Sequence, residues 1–262
     1  MTAVDDKSVV AERDADGGPD GVVDRVRTSQ VGRSIWRTPR PVTRRDQAAS
    51  HWSSFFLHIY PVKVRRKEIG FAFSWYLGVM STVLLGSLVV SGIYLMFFYV
   101  PSPASAYTNI QTLQTEVAFG QYVRNIHRWS AHLMVLAVAA HMGRVFYRGA
   151  YKAPREFNWV IGVVLLILTL LMSFTGYLLP WDQLAYWAVT VGTEMAAYVP
   201  FFGDEVRELL LGGPIVGSAT LLRFYVLHVA VLPSMIVVLL MTHLWRWRKD
   251  AMLETDRGEP ND

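Results

Sequence analysis

Four histidines fall into two near-equal pairs: His127 and His141 are fourteen residues apart, His228 and His243 fifteen. Each pair sits in its own long apolar stretch. At about 100° per residue, a fourteen-residue step on an α-helix leaves two side chains about 40° apart and a fifteen-residue step about 60°, so each pair looks out on one face. The axial rise between the members is roughly 21 Å, most of the thickness of a hydrocarbon core. Imidazole inside a membrane helix is costly and marks function. Two such helices packed face to face would hold two haems, one near each surface, with one histidine from each helix on each iron. That arrangement carries electrons across a membrane. His132, five residues past His127 and about 140° round the helix, faces off this line. His51 and His58 precede the first apolar stretch, in a mixed polar and aromatic run.

Positioning such ligands takes long apolar helices, and the composition supplies them. Of 262 residues, 52% are hydrophobic and 13% aromatic, the profile of a polytopic membrane protein. Stretches at residues 71–99, 122–146, 157–179 and 221–245 are each long enough to cross a bilayer. The expected fold is therefore an all-α membrane protein, a four-transmembrane-helix bundle holding two haems, with short interfacial helices. No cleavable signal peptide is expected, because the first 50 residues carry many charges and no apolar run.

Charge placement orients the bundle. Lys63, Arg65, Arg66 and Lys67 precede the first stretch; Arg144, Arg148, Lys152 and Arg155 lie between the second and third; Arg246, Arg248 and Lys249 follow the fourth. The opposite loops carry Asp182, Glu194, Asp204, Glu205 and Glu208. The positive-inside rule places both termini in the cytoplasm of a bacterial-type membrane. The net charge of +4 reflects this asymmetry and gives no reason to expect nucleic acid. With that topology the second and fourth helices run parallel, so His127 meets His228 near the outer surface and His141 meets His243 near the inner one.

Outside the bundle, residues 1–50 read as a disordered cytoplasmic extension, residues 51–70 as an interfacial amphipathic segment, and residues 249–262 as a polar tail after the dihaem domain at 71–248. The chain has no cysteine, which excludes disulfides, thiolate metal sites and thioether-linked haem.

The glycines repeat the histidine period. Gly78 and Gly92 are fourteen apart in the first stretch, Gly162 and Gly176 fourteen apart in the third. A flat macrocycle packed between helices needs places without side chains, and these four read as haem clearance. Close helix packing explains any one glycine alone; the matched period argues for more. Arg124 and Arg144 each lie three residues from a ligand, on the membrane-face side, where a guanidinium can pair with a haem propionate.

The runs RNIHRWSAHLMVL, KAPREFNWVIGV, TGYLLPWDQLAYWAV and ATLLRFYVLHVAVLP resemble the amino-terminal half of cytochrome b, and most of all its split form, cytochrome b6, across residues 53–248. The resemblance implies two non-covalent b-type haems and a place in a respiratory quinol:cytochrome c oxidoreductase, with quinone and quinol as substrates. It implies an outer quinol pocket lined by Phe174, Tyr177, Trp187, Ala188 and Val191, and an inner quinone pocket at Arg248. The family's carboxyl-terminal half, with its Pro-Glu-Trp-Tyr motif, has no counterpart here. A separate carboxyl-terminal cytochrome b subunit, a Rieske iron–sulfur protein and a cytochrome c or equivalent acceptor are the implied partners, in a dimeric complex. Alone, the chain is expected to be an incomplete enzyme. Cytochrome b6 also carries a cysteine near the start of its first span that attaches a third haem; Tyr76 stands there, so a covalent third haem is unsupported. Two other readings remain open at this stage: a dihaem membrane anchor for another quinone-linked dehydrogenase or reductase, and a haem-free channel or transporter.

Overall fold

The computed structural model describes residues 21, 25–26, 29–35, 75–153 and 155–255. Among these, every regular element is helical. α1 (Gln30–Ile35) precedes α2 (Leu77–Met96), α3 (Ala106–Thr115), α4 (Gly120–Tyr147), α5 (Glu156–Leu178), α6 (Gln183–Ala197) and α7 (Gly203–Leu211). The last rod is α8 (Ser218–Val226), a π-helical turn at Leu227–Val231, and α9 (Leu232–Thr255). The expected interfacial segment 51–70 lies outside the described residues.

Three helical rods are long and apolar enough to cross a membrane: Leu77–Met96, Glu156–Leu178 and Ser218–Arg248, with mean hydropathies of 2.0, 2.3 and 2.3. Only 6%, 22% and 17% of their most apolar windows is buried inside the molecule. Faces such as Val79, Val83, Val90, Ile167, Leu170 and Val238 therefore point outward, which water would penalise and lipid would not. The remaining rod, α4, has 28 residues and ample length. It misses on composition, because Arg124, Asn125, His127, Arg128, His132, His141 and Arg144 all lie on it.

α2 packs chiefly on α4, and α5 on α9, with α4 also touching α5. Midway along the bundle, Leu168, Leu232 and Ile236 are buried together, with Leu85, Leu165, Met172, Leu227 and Leu239 packed round them. A second apolar centre, Leu178, Val189 and Phe224, joins α6 and α8 to the end of α5. α6 starts where Pro180 stops α5, and its N-cap Asp182 accepts from the Ala185 amide at 2.8 Å. Ala185, Val189 and Thr193, spaced by four, form its buried face.

The π turn at Leu227–Val231 has a local cause. The Leu232 amide donates to the Leu227 carbonyl, five residues back. Pro233 follows at once, with no N–H to give and a ring that crowds the carbonyl four residues before it. Widening the preceding turn removes that conflict.

Two described segments add structure to stretches that the sequence left unassigned to helices. Residues 1–50 are not uniformly without structure: α1 docks on α5. The Ser34 hydroxyl accepts from the Phe157 amide at 3.1 Å, and Arg246 donates to the carbonyls of Ser34 and Ile35. The docking works through main-chain oxygens and one hydroxyl, so it leaves no apolar period to read. Likewise α9 runs on to Thr255, into the stretch read as a polar tail. KDAMLET contains no helix breaker, and nothing ends the helix at residue 249.

Candidate functional site

The four histidines occupy two layers. In one, the His127 and His228 rings stand with centroids 6.3 Å apart and planes at 69°. In the other, His141 lies close enough to His243 for the two to interact electrostatically. The intervening apolar centre of Leu168, Leu232 and Ile236 keeps the layers apart.

Each glycine of the repeat faces one histidine. A Cβ built on Gly92 would meet His127 Cε1 at 3.2 Å, one on Gly176 His228 Cε1 at 2.6 Å, one on Gly78 His141 Cε1 at 3.4 Å, and one on Gly162 His243 Cε1 at 3.6 Å. The near end of α2 thus meets the far end of α4, and α5 meets α9 the same way, which is the up-and-down order of a bundle. The first thing these glycines make room for is the imidazole itself. A ring seated against bare backbone lies closer to its neighbouring helix than any side chain would allow.

Sequence reasoning missed the hydrogen-bond partners of the histidines. Ser91 Oγ lies 2.9 Å from His127 Nδ1, and Thr175 Oγ1 lies 3.1 Å from His228 Nδ1. The signal was present: a hydroxyl residue stands immediately before Gly92 and before Gly176. Ser87 Oγ, one turn from Ser91, bonds Ser130 Oγ of α4 at 3.1 Å, a further polar tie across the same two helices.

With Nδ1 engaged by helices that carry no ligand, Nε2 is the nitrogen left for a metal. Two imidazoles on opposite sides of one metal, with bonds of about 2.0–2.1 Å, set their centroids about 6 Å apart. The separation of His127 and His228 fits one metal ion between them. His132 is exposed instead, edge-on to Trp129 with centroids 5.9 Å apart.

Arg124 and Arg144 are held by other partners. Arg124 Nη1 donates to Gln114 Oε1 of α3 at 3.2 Å. Arg144 sits over the Trp75 ring, 4.4 Å from its centroid. Arg248 is 2% exposed, and its Nε and Nη1 are buried without a hydrogen-bond partner. The residues assigned to the outer pocket divide between two environments. Phe174 and Ala188 pack against Leu178, Val189 and Phe224, whereas Tyr177, Trp187 and Val191 are exposed. Nearby, Tyr107, Trp181, Asp182, Gln183, Leu184 and Tyr186 line a cavity of about 530 Å³.

Comparison with known proteins identifies the family. The family model described as cytochrome b/b6/petB matches residues 66–251. The chain belongs to the cytochrome b/b6 family. A cytochrome b6 of Heliomicrobium gestii is 47% identical over 154 residues, 59% of this chain and 72% of its own length. A cytochrome b6 of Synechococcus sp. (strain CC9902) is 45% identical over 162 residues, 62% of this chain and 74% of its own. Among solved structures, a chain of a hyperthermophilic respiratory Complex III superposes with a TM-score of 0.63 at 28% identity. The match covers 78% of this chain and 53% of that one, so this cytochrome b/b6 chain spans about half of the solved chain's length.

Proposed function

We propose that the chain is the dihaem cytochrome b6-type subunit of a quinol-oxidising, Rieske/cytochrome b complex. The observation that carries the reading is the 6.3 Å separation of His127 and His228 with both Nδ1 atoms engaged by hydroxyls. No group of three or more His, Cys, Asp or Glu residues suited to a metal ion occurs among the described residues. A pair of imidazoles without further protein ligands would suit a haem, whose porphyrin would complete the coordination of the iron.

His127 and His228 would hold one b-type haem, His141 and His243 a second, each as a reversible one-electron centre. Gly78, Gly92, Gly162 and Gly176 seat the ligand rings. Arg124 and Arg144 lie where propionates would come, and Arg248 offers a buried guanidinium near the second layer. By the positive-inside rule, the basic loops would put the His141–His243 layer on the cytoplasmic side and the His127–His228 layer outside, with both termini cytoplasmic. Exposed Tyr177, Trp187 and Val191 would form this subunit's wall of the outer quinol pocket, completed by a separate carboxyl-terminal subunit. A Rieske protein, a cytochrome c-type acceptor and a dimeric assembly follow from the same reading.

The test is direct. The protein purified from membranes should carry two b haems per chain, with a dithionite-reducible α band, and should co-purify with a Rieske protein. Absence of that band would end the haem reading. A molybdopterin reductase in place of the Rieske protein would turn the assignment to a membrane anchor.

A further inference from the structure

The two histidine layers are built differently, and the difference lies in hydrogen bonds. In one layer each Nδ1 meets a hydroxyl: Ser91 Oγ for His127, Thr175 Oγ1 for His228. Both hydroxyls come from α2 and α5, the helices without ligands. In the other layer the corresponding positions, before Gly78 and Gly162, are Leu77 and Ile161. A main-chain carbonyl lies beside three of the rings, Leu88 at His127, Met172 at His228 and Asn158 at His243, but only the first two also meet a hydroxyl, and no hydrogen bond of normal geometry reaches the buried Nδ1 of His243.

A ring that offers Nε2 to a metal keeps its hydrogen on Nδ1, and the acceptors around each hydroxyl fit that direction. Ser91 Oγ is 2.6 Å from the Ser87 carbonyl oxygen. A carbonyl cannot donate, so with Nε2 turned to a metal and the ring hydrogen on Nδ1, the serine hydrogen goes to this carbonyl or to that of Leu88 at 3.3 Å. Ser91 can then only accept from His127, whose Nδ1 carries the hydrogen. Thr175 is in the same position, with its hydrogen aimed at the Leu171 carbonyl at 2.9 Å and the Met172 carbonyl at 3.1 Å. His228 Nδ1–H therefore donates to Thr175. Both rings are fixed in the tautomer that leaves Nε2 as a bare lone pair. Each bond also ends in a hydroxyl already polarised by its own donation, which draws the Nδ1 hydrogen further and enriches Nε2.

We infer that Ser91 and Thr175 are positioning residues. They fix the tautomer and raise the donor strength of His127 and His228, and so lower the reduction potential of the haem in that layer alone. This rests on the dihaem reading above. Stronger donation favours the oxidised iron, so this layer gives up an electron more readily than it would without the hydroxyls. The His141–His243 layer lacks the device.

The experiment is a potentiometric titration of the purified, haem-loaded complex, following the two b bands in wild type, Ser91→Ala, Thr175→Val, Ser91→Thr and Thr175→Ser. In Ser91→Ala and Thr175→Val, one haem should shift upward and the other stay. The expected change is roughly tenfold in the oxidised-to-reduced ratio at fixed ambient potential, about 59 mV for one electron. Ser91→Thr and Thr175→Ser, which keep the hydroxyl, should hold the wild-type potential. Equal shifts in both haems, or no shift with both haems bound, would overturn the inference. Should Ser91→Ala or Thr175→Val lose haem, the hydroxyl-retaining variants decide. Both haems kept at wild-type potentials supports the hydroxyl role, and loss there too overturns it. Fewer than two b haems in the wild type would instead sink the dihaem reading itself.

Discussion

A Cβ on Gly176 would stand 2.6 Å from His228 Cε1, closer than any other glycine of the repeat comes to its histidine. Something must move to admit even a methyl group there, and the obstacle is a rigid ring whose Nδ1 is already tied to Thr175. Gly92 is next at 3.2 Å, while Gly78 and Gly162 stand at ordinary contact, 3.4 and 3.6 Å. Alanine substitutions should therefore rank. Gly176→Ala should perturb the His127–His228 haem most, Gly92→Ala less, and Gly78→Ala and Gly162→Ala little. Overpacking of this kind costs about 1–3 kcal/mol. Haem content and band position in the four variants check the order; four equal responses would show that the approach distances do not matter.

Loss of a ligand should separate the layers. His141→Ala or His243→Ala should remove or convert to high spin one haem while the other keeps its low-spin spectrum, and His127→Ala or His228→Ala should do the reverse. His132→Ala should leave both, since that ring is exposed beside Trp129. Haem stoichiometry by pyridine haemochrome, with low-temperature spectra, distinguishes these outcomes. Two full equivalents of low-spin haem in His243→Ala would mean that the pairing is wrong.

The outer pocket calls for two substitutions rather than one. Ala188 packs against the Leu178, Val189 and Phe224 centre, so Ala188→Phe should lower both quinol-dependent acceptor reduction and thermal stability. Val191 lies three residues on and is exposed. Val191→Trp should slow quinol oxidation in the assembled complex by roughly tenfold or more with haem content and melting temperature unchanged, if Val191 lines the head-group space. A wild-type rate in Val191→Trp places the pocket elsewhere.

Docking of α1 should show in stability. Ser34 accepts from the Phe157 amide near the start of α5, a cap worth about 1 kcal/mol in ordinary helices. Ser34→Ala should lower the melting temperature of the detergent-solubilised protein by a few degrees without changing either haem spectrum. Arg246→Gln should cost more, because Arg246, 2% exposed, gathers the Ser34 and Ile35 carbonyls and sits over the Phe157 ring. No change in either variant would leave α1 a bystander.

How much of this was written in the sequence depends on the kind of contact. His127, His141, His228 and His243 announced themselves because a polar ring on an apolar helix is expensive and its spacing is periodic. The glycines were legible by period, yet their immediate neighbour, the imidazole, emerges only from the packing. Ser91 and Thr175 looked like ordinary small helix residues. Their role needs the distances to two imidazole nitrogens together with those to carbonyls about one turn back on the same helix. α3 and α7 lie in stretches with no membrane-length pattern, and α1 docks through two carbonyl oxygens and one hydroxyl, which leave no apolar period to read. Which face of α6 Ala188 occupies follows from the register of Ala185, Val189 and Thr193.

The widened turn at Leu227–Val231 explains why fourteen residues on one rod and fifteen on the other can serve the same two depths. A single added residue in an uninterrupted α-helix would rotate everything beyond it by about 100° and advance it by about 1.5 Å. His243 would then sit about 60° to one side of the His228 direction instead of about 40° to the other. Because the surplus is absorbed next to His228, the downstream rod keeps its phase, and the lower ligand never feels the insertion. The rod tolerates a length change only at that address. Removing one residue between His228 and Pro233 should be survivable as a return to a fourteen-residue period, whereas the same deletion between Ile236 and Thr242 would strand His243 on the lipid side.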